Sequence, residues 1–147
     1  MEFKELVDGF ASRHKVEGLV IEDDAVALDI DGIVVTIVST GERLAMSADI
    51  GDPPSEGLAV FANLLLEANL QSDVVFAKHA ESGGYIILRR LPLFSLDVDA
   101  FDAALESFVN QAETWRLLLL DFRPIAKAAE SDESQRASLA ADGFMQV

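Results

Sequence analysis

Apolar residues along the chain follow two periods, and the switches between them lay out its elements. Phe3, Leu6, Val7, Phe10 and Ala11 recur at helical spacing and predict an amphipathic helix over residues 2–14, with Gly18 as its stop. Residues 25–31 alternate instead, Val26, Leu28 and Ile30 against Ala27, Asp29 and Asp31, as a half-buried strand does. Asp31-Gly32 is a strong two-residue hairpin signal, and the β-branched run 33–38 returns antiparallel from it. A turn at 39–42 leads to a third strand over 44–50. Gly51-Asp52-Pro53-Pro54-Ser55 then breaks the ladder, because proline has no amide to donate, and Ser55 is placed to cap a helix over 56–69. A short strand over 74–79, a turn at Ser82-Gly83-Gly84 and a strand over 85–91 follow, the last apolar on both faces as far as Arg89-Arg90. The final helix starts near Asp97, carries Val98, Phe101, Ala104, Leu105, Phe108, Val109, Ala112, Trp115 and Leu119 at helical spacing, and ends near Phe122, ahead of Pro124.

The predicted order is helix, three strands, helix, two strands, helix. Consecutive hairpins imply an antiparallel sheet, and the first and last helices must cover one of its faces, which makes an α+β domain over residues 1–122. Residues 123–147 are rich in alanine, serine and acids and are expected to be weakly ordered, with Leu139 and Phe144 able to dock.

The second helix is greasier than a surface helix needs to be. Leu58, Phe61, Ala62, Leu65 and Asn69 form one stripe, and Val60, Leu64 and Leu66 carry apolar surface well beyond the roughly 100° a helix on a small domain requires. Either the helix lies centrally within one subunit, or a second copy of the chain covers it about a two-fold axis.

Composition narrows the function classes. The chain has 147 residues, half of them apolar, and no cysteine, which removes disulfides, thiolate metal sites and cysteine nucleophiles. A net charge of −15, from 26 acidic and 11 basic residues, repels phosphate backbones and anionic bilayers, so neither nucleic acid nor membrane is an expected partner. No apolar run approaches the ~18 residues that would span a bilayer, and the opening MEFKELVDGF lacks a basic stretch followed by an apolar one, so a soluble cytoplasmic protein is expected. The same charge keeps a chain soluble while it displays apolar patches.

Candidate chemistry is sparse. Glu22-Asp23-Asp24, Asp29 with Asp31, and Asp49 with Asp52 lack the twelve-residue loop and closing glutamate of a calcium hand, and read as solvated charge. His14, at a helix end, and His79, beside a turn, are the two histidines; neither has a nucleophile-elbow serine, and they make no metal-binding pair. Alternation sends Arg89 and Arg90 to opposite faces, one to solvent and the other toward a helix or interface, where pairing with the chain's own carboxylates is the simplest account. No catalytic residue, metal or cofactor is expected.

Two leucine patterns in order, LLLEANL at 64–70 and LRRLPL at 88–93 with Asp97 opening the last helix, resemble the class I type III secretion chaperone family, which includes the chaperone of the translocated intimin receptor. The resemblance covers residues 3–120. It implies a homodimer with the second helix and the neighbouring strand at the two-fold axis, and a client, the extended N-terminal segment of a secreted effector, held without nucleotide. Carried onto this sequence, the dimer positions are Val60, Phe61, Leu64, Leu65, Ala68, Val75 and Phe76. The client-binding positions are Phe3, Leu6 and Phe10 on the first helix and Val34, Thr36 and Val38 on the second strand. For each of these, ordinary core is the competing assignment. The tail departs from the family pattern and either covers the client groove or is unordered. A non-secretory interaction or regulatory module of the same fold is the alternative function.

Overall fold

The computed structural model describes residues 2–122; the expectations for the tail lie outside them. The elements run α1 (Phe3–His14), β1 (Ala25–Ile30), β2 (Ile33–Ser39), β3 (Arg43–Gly51), α2 (Leu58–Gln71), β4 (Val75–Lys78), β5 (Tyr85–Pro92) and α3 (Val98–Leu120), with a 3-10 turn, Leu93–Ser95, that the sequence pattern did not predict. The α+β order is the predicted one.

Local chemistry sets the boundaries. Glu2 and Glu5 form a capping box at the start of α1, and Lys15 in the left-handed region, not Gly18, ends it. Asp97 accepts the Ala100 amide at 2.8 Å and opens α3. Ser55 does not cap α2: Gly57 holds the N-cap position with φ 71°, a backbone setting that glycine adopts without a Cβ clash. Asp31 (φ 53°) and Gly32 (φ 87°) are both left-handed, as a two-residue hairpin requires, and the Asp29 carboxylate accepts the Gly32 amide at 3.0 Å.

The five strands form one antiparallel sheet in the order β1-β2-β3-β5-β4. Strand β5 is inserted between β3 and β4, so α2 carries the chain from the middle of the sheet to its far edge before β5 returns. Leu28, Val35, Ile37, Leu44, Met46, Ile50 and Ile87 point to one face and are buried there under Phe3, Leu6, Val7 and Phe10 of α1 and Phe101, Leu105, Phe108 and Val109 of α3. The Phe10 and Phe101 rings meet edge to face at 5.8 Å. Gly9 lets the two helices approach: a Cβ there would lie 2.6 Å from Val98 Cγ2.

Candidate functional site

Three surfaces left open by this packing are candidates for binding, beginning with α2. Phe61 is fully buried in its own subunit, against Tyr85, Trp115 and Phe122 at ring separations of 5.8, 6.2 and 5.1 Å. Leu65 and Phe76 are buried as well, Phe76 against Trp115 at 4.7 Å. These three predicted dimer positions are therefore spent on the subunit core, because α2 leans on the sheet through the Phe61–Leu65 stripe. Ala68 is half-buried. Val60 (55 %), Leu64 (38 %) and Val75 (41 %) remain exposed, as do Leu58, Leu66 and Leu70. Glu67 is the one charged residue of α2. The account of a centrally buried helix thus holds for one stripe, and the two flanks of that stripe are bare apolar surface.

The second surface is the far face of the sheet, which no helix covers among the described residues. The alternation that buries Ile33, Val35 and Ile37 turns Val34, Thr36 and Val38 outward. In register beside them stand Ala45 and Ser47 of β3, then Leu88 of β5, with Ile86 one step further along and Val75 on β4. Ile86 and Leu88 were not singled out from the sequence; the signal was present in β5 being apolar on both faces. Arg90 is exposed on this side, while Arg89 turns to the opposite face and meets Asp73 at 3.2 Å. Of the predicted client positions on α1, Phe3 and Leu6 are corrected by their burial, since α1 lays its apolar stripe on the sheet and against α3, whereas Phe10, buried for the most part, also lines the cavity beside β1.

The third surface is the outer edge of β1. In the two-residue hairpin Ile30 and Ile33 form the hydrogen-bonded pair, so Leu28 and Val26 also bond across to β2 while the backbone groups of Ala25, Ala27 and Asp29 face away. Ala25 exchanges bonds with Glu22 at 2.9 and 3.0 Å, but Ala27 and Asp29 have no partner on that side among the described residues. Beside them lies a cavity of about 500 Å³ with Val16, Leu19, Leu28, Leu105 and Val109 in its lining and Asp29, Asp31, Asp102 and Glu106 around it. Its lip is clasped by ions: Arg13 reaches Asp99 at 2.6 Å and Asp102 at 3.2 Å, and His14 Nε2 lies 3.0 Å from Asp102. Burial pushes the Asp102 carboxyl up, but the hydrogen bonds and charges of His14 and Arg13 outweigh it and hold the group below its usual value. The opposite edge of the sheet is covered in part. Asn69 of α2 accepts the Phe76 amide at 2.7 Å and donates to the Phe76 carbonyl at 3.4 Å, occupying the outward backbone groups of Phe76 and leaving those of Lys78 at the end of β4.

No cluster of three or more histidine, cysteine or acidic side chains able to hold a metal ion occurs among the described residues, and His79 serves only its own turn, accepting from the Glu81 amide at 3.3 Å. Among the same residues, no helix is long and apolar enough to cross a membrane.

Solved structures share this architecture. A chain of the HopA1–SchA chaperone–effector complex superposes with a TM-score of 0.67 at 19 % identity, over 78 % of this chain and 92 % of that one. A chain of the complex between the Yersinia pestis type III secretion chaperone SycH and a stable fragment of YscM2 gives 0.65 at 18 %, over 78 % and 99 %. A chain of the ExsC–ExsE complex gives 0.67 at 22 %, over 78 % and 90 %. No curated protein matches the chain. At these identities the likeness establishes the fold. The family rests on the sequence itself, which matches over residues 5–116, from the first turns of α1 to the last turns of α3: the chain belongs to the Tir chaperone protein (CesT) family.

Proposed function

We propose that this protein is a homodimeric chaperone that binds the extended N-terminal segment of a type III secreted effector and keeps it soluble and competent for export, without catalysis, metal or cofactor. The observation that carries the reading is the asymmetry of the sheet. At one edge Asn69 covers the middle of a short strand, while the other leaves Ala27 and Asp29 unpaired beside an apolar cavity, and one face is packed while the other shows Val34, Thr36, Val38, Ile86 and Leu88. An extended chain adds a strand to such an edge, and spreads its apolar side chains over such a face at modest cost per contact. The family membership and the chaperone–effector complexes among the structural relatives support the same reading. In the dimer the bare flank of α2, with Val60, Leu64, Ala68 and Val75, meets its copy.

Co-expression with the first hundred or so residues of secreted proteins encoded beside this gene, followed by hydrogen exchange of any complex, tests it. Protection is expected at β1 and on the outward residues of β2 and β5. Binding confined to a compact, folded partner would refute the chaperone reading in favour of a regulatory module.

A further inference from the structure

Helix α3 ends at a corner of the sheet where a second cavity opens. Phe122 lines this cavity of about 730 Å³ together with Ile50, Leu119 and Leu120, and Asp49, Asp52 and Glu56 stand around it. Arg116 ties the helix to the corner, donating to the carbonyls of Asp49 at 2.9 Å and Gly32 at 3.4 Å. Around the corner lies the open face of the sheet, acidic at this end and basic at the other. Asp49, and Asp29 opposite Val34, stand at the near end; Arg43 and Arg90, diagonal neighbours across the β3–β5 ladder, stand at the far end. None of the four has an ion-pair partner among the described residues.

The sequence after Phe122 carries charge in the complementary order. Arg123 and Lys127 come first, with Ile125 between them; Ala128 and Ala129 follow, and then Glu130, Asp132 and Glu133. The lengths agree with that order. Rounding the end of the sheet takes ~10 Å, and following β3 from Asp49 to Arg43 takes ~20 Å more. At ~3.3 Å per extended residue, Lys127 reaches ~16 Å from Phe122, to the acidic end, and Asp132 reaches ~33 Å, to the arginines. A helix rises ~1.5 Å per residue and would carry Asp132 only ~15 Å, short of them. Pro124 sets the extended course at the start, because it keeps the residue before it out of the helical region.

We propose that residues 123–133 cross the open face as an extended strap supplied by the chain itself. Ile125 enters the corner cavity, Arg123 and Lys127 lie over Asp49 and Asp29, and Glu130, Asp132 and Glu133 lie over Arg43 and Arg90. In its consequence the strap rests on the client-binding reading above: it covers Thr36, Val38, Ile86 and Leu88 while no client is bound, and yields to one. Its alanines make it displaceable, since they bury little apolar area and leave the hold to exposed ion pairs. The tether compensates by keeping the strap at an effective concentration on the order of millimolar.

The chain has no cysteine, so engineered pairs report the path without background. In the full chain, Ser47→Cys with Ala128→Cys is compared with Glu113→Cys with Ala128→Cys; Ser47 is an outward residue at the centre of β3, and Glu113 is exposed on α3. Oxidation in a glutathione buffer at low salt is expected to close the first pair about tenfold faster, as a covalent monomer on a non-reducing gel. Arg43→Glu with Arg90→Glu should erase most of that advantage, and adding Glu130→Arg, Asp132→Arg and Glu133→Arg should restore it, with circular dichroism showing each variant folded. Equal rates for the two pairs, indifference to the arginine variant or failure of the rescue overturns the proposal. So does a covalent dimer, which would place the segment on a second copy. With Arg43 and Arg90 intact, the triple tail variant should hold a co-expressed secreted segment about fivefold more tightly than the parent, and an unchanged hold refutes displacement by a client. Fast closure at Ser47 with no segment co-purified leaves the strap standing and sinks the chaperone reading; a segment captured by a chain whose two pairs close at equal rates does the reverse.

Discussion

Replacing Leu64 by aspartate puts one carboxylate per subunit on the flank of α2 proposed to meet its copy. Leu58, Val60, Leu64, Leu66 and Leu70 are between 38 % and 87 % exposed. Together they amount to roughly three fully exposed aliphatic side chains per subunit, each worth about 1.5–3 kcal/mol on complete burial. Two subunits therefore gain ~10–20 kcal/mol if all of it is covered, set against an association cost of ~4–15 kcal/mol. The balance favours a dimer that persists at micromolar concentration, for which about 8 kcal/mol suffices. Leu64→Asp forfeits about 1 kcal/mol of burial per copy and forces two carboxylates out of water near a symmetry axis, at several kcal/mol each. Weakening by ~10³-fold or more is expected, enough to yield monomer at about 10 μM. Sedimentation velocity reads the outcome, with thermal melting by circular dichroism to show that the variant is folded. Val60→Asp, one turn earlier and more exposed, should behave alike. A folded Leu64→Asp protein that still sediments as a dimer, or a parent chain that is monomeric at this concentration, refutes the reasoning.

Asn69→Ala should cost about 1–3 kcal/mol in denaturant unfolding by stranding the Phe76 amide and carbonyl; an unchanged midpoint would mean β4 is not held by that side chain. Gly9→Val should destabilise by roughly 1–3 kcal/mol through overpacking against Val98, and no loss would show that α1 moves freely on α3. Because the folded Asp102 carboxyl sits below its unfolded value, its contribution is complete above about pH 5 and is lost as pH falls through the folded value. Asp102→Asn should therefore lower the melting temperature at pH 7, with the difference shrinking as the pH falls through the folded value, and a gap that does not shrink on acidification would contradict the assignment.

Much of the fold is legible because strand and helix periods are unambiguous where one face is buried. Val26, Leu28 and Ile30 alternate with polar or small partners, and Asp31-Gly32 names its own turn, so β1 and β2 fall where expected. What the sequence withholds is which copy of an apolar surface covers which. Phe3, Leu6 and Phe10 form the same kind of stripe as Val60 and Leu64, yet one set is buried by α3 and the sheet and the other is bare. Periodicity records that a face is apolar and says nothing of its cover. Phe61, Leu65 and Phe76 enter the dimer set through the family resemblance, and the subunit's own core takes them. Gly9 is costly by about 1 kcal/mol in a helix interior, and only the approach of Val98 accounts for it. The plug at Asn69 could not be read from sequence either, since its partners lie seven residues away across a change of element.

Charge separates the two kinds of exposed apolar surface. The flank of α2 has Glu67 as its single charged residue, whereas the β1 cavity has Asp29, Asp31, Asp102 and Glu106 in its lining. In the proposed dimer two subunits of net charge −15 repel each other within the Debye length, so a weakly charged apolar surface such as the flank of α2 is the expected contact. On the proposed reading the acid-lined cavity disfavours a second copy of this chain and favours a basic client, which would keep the open edge of β1 from pairing with itself. The two associations should then answer salt with opposite signs. Raising the salt from about 0.05 to 0.5 M screens repulsion between subunits and tightens or preserves the dimer, while it weakens capture of a basic client segment. Sedimentation equilibrium and client titration over the same salt series measure both slopes. If both weaken together, the dimer is held by ion pairs rather than by the apolar flank of α2; if both tighten, the cavity does not read charge.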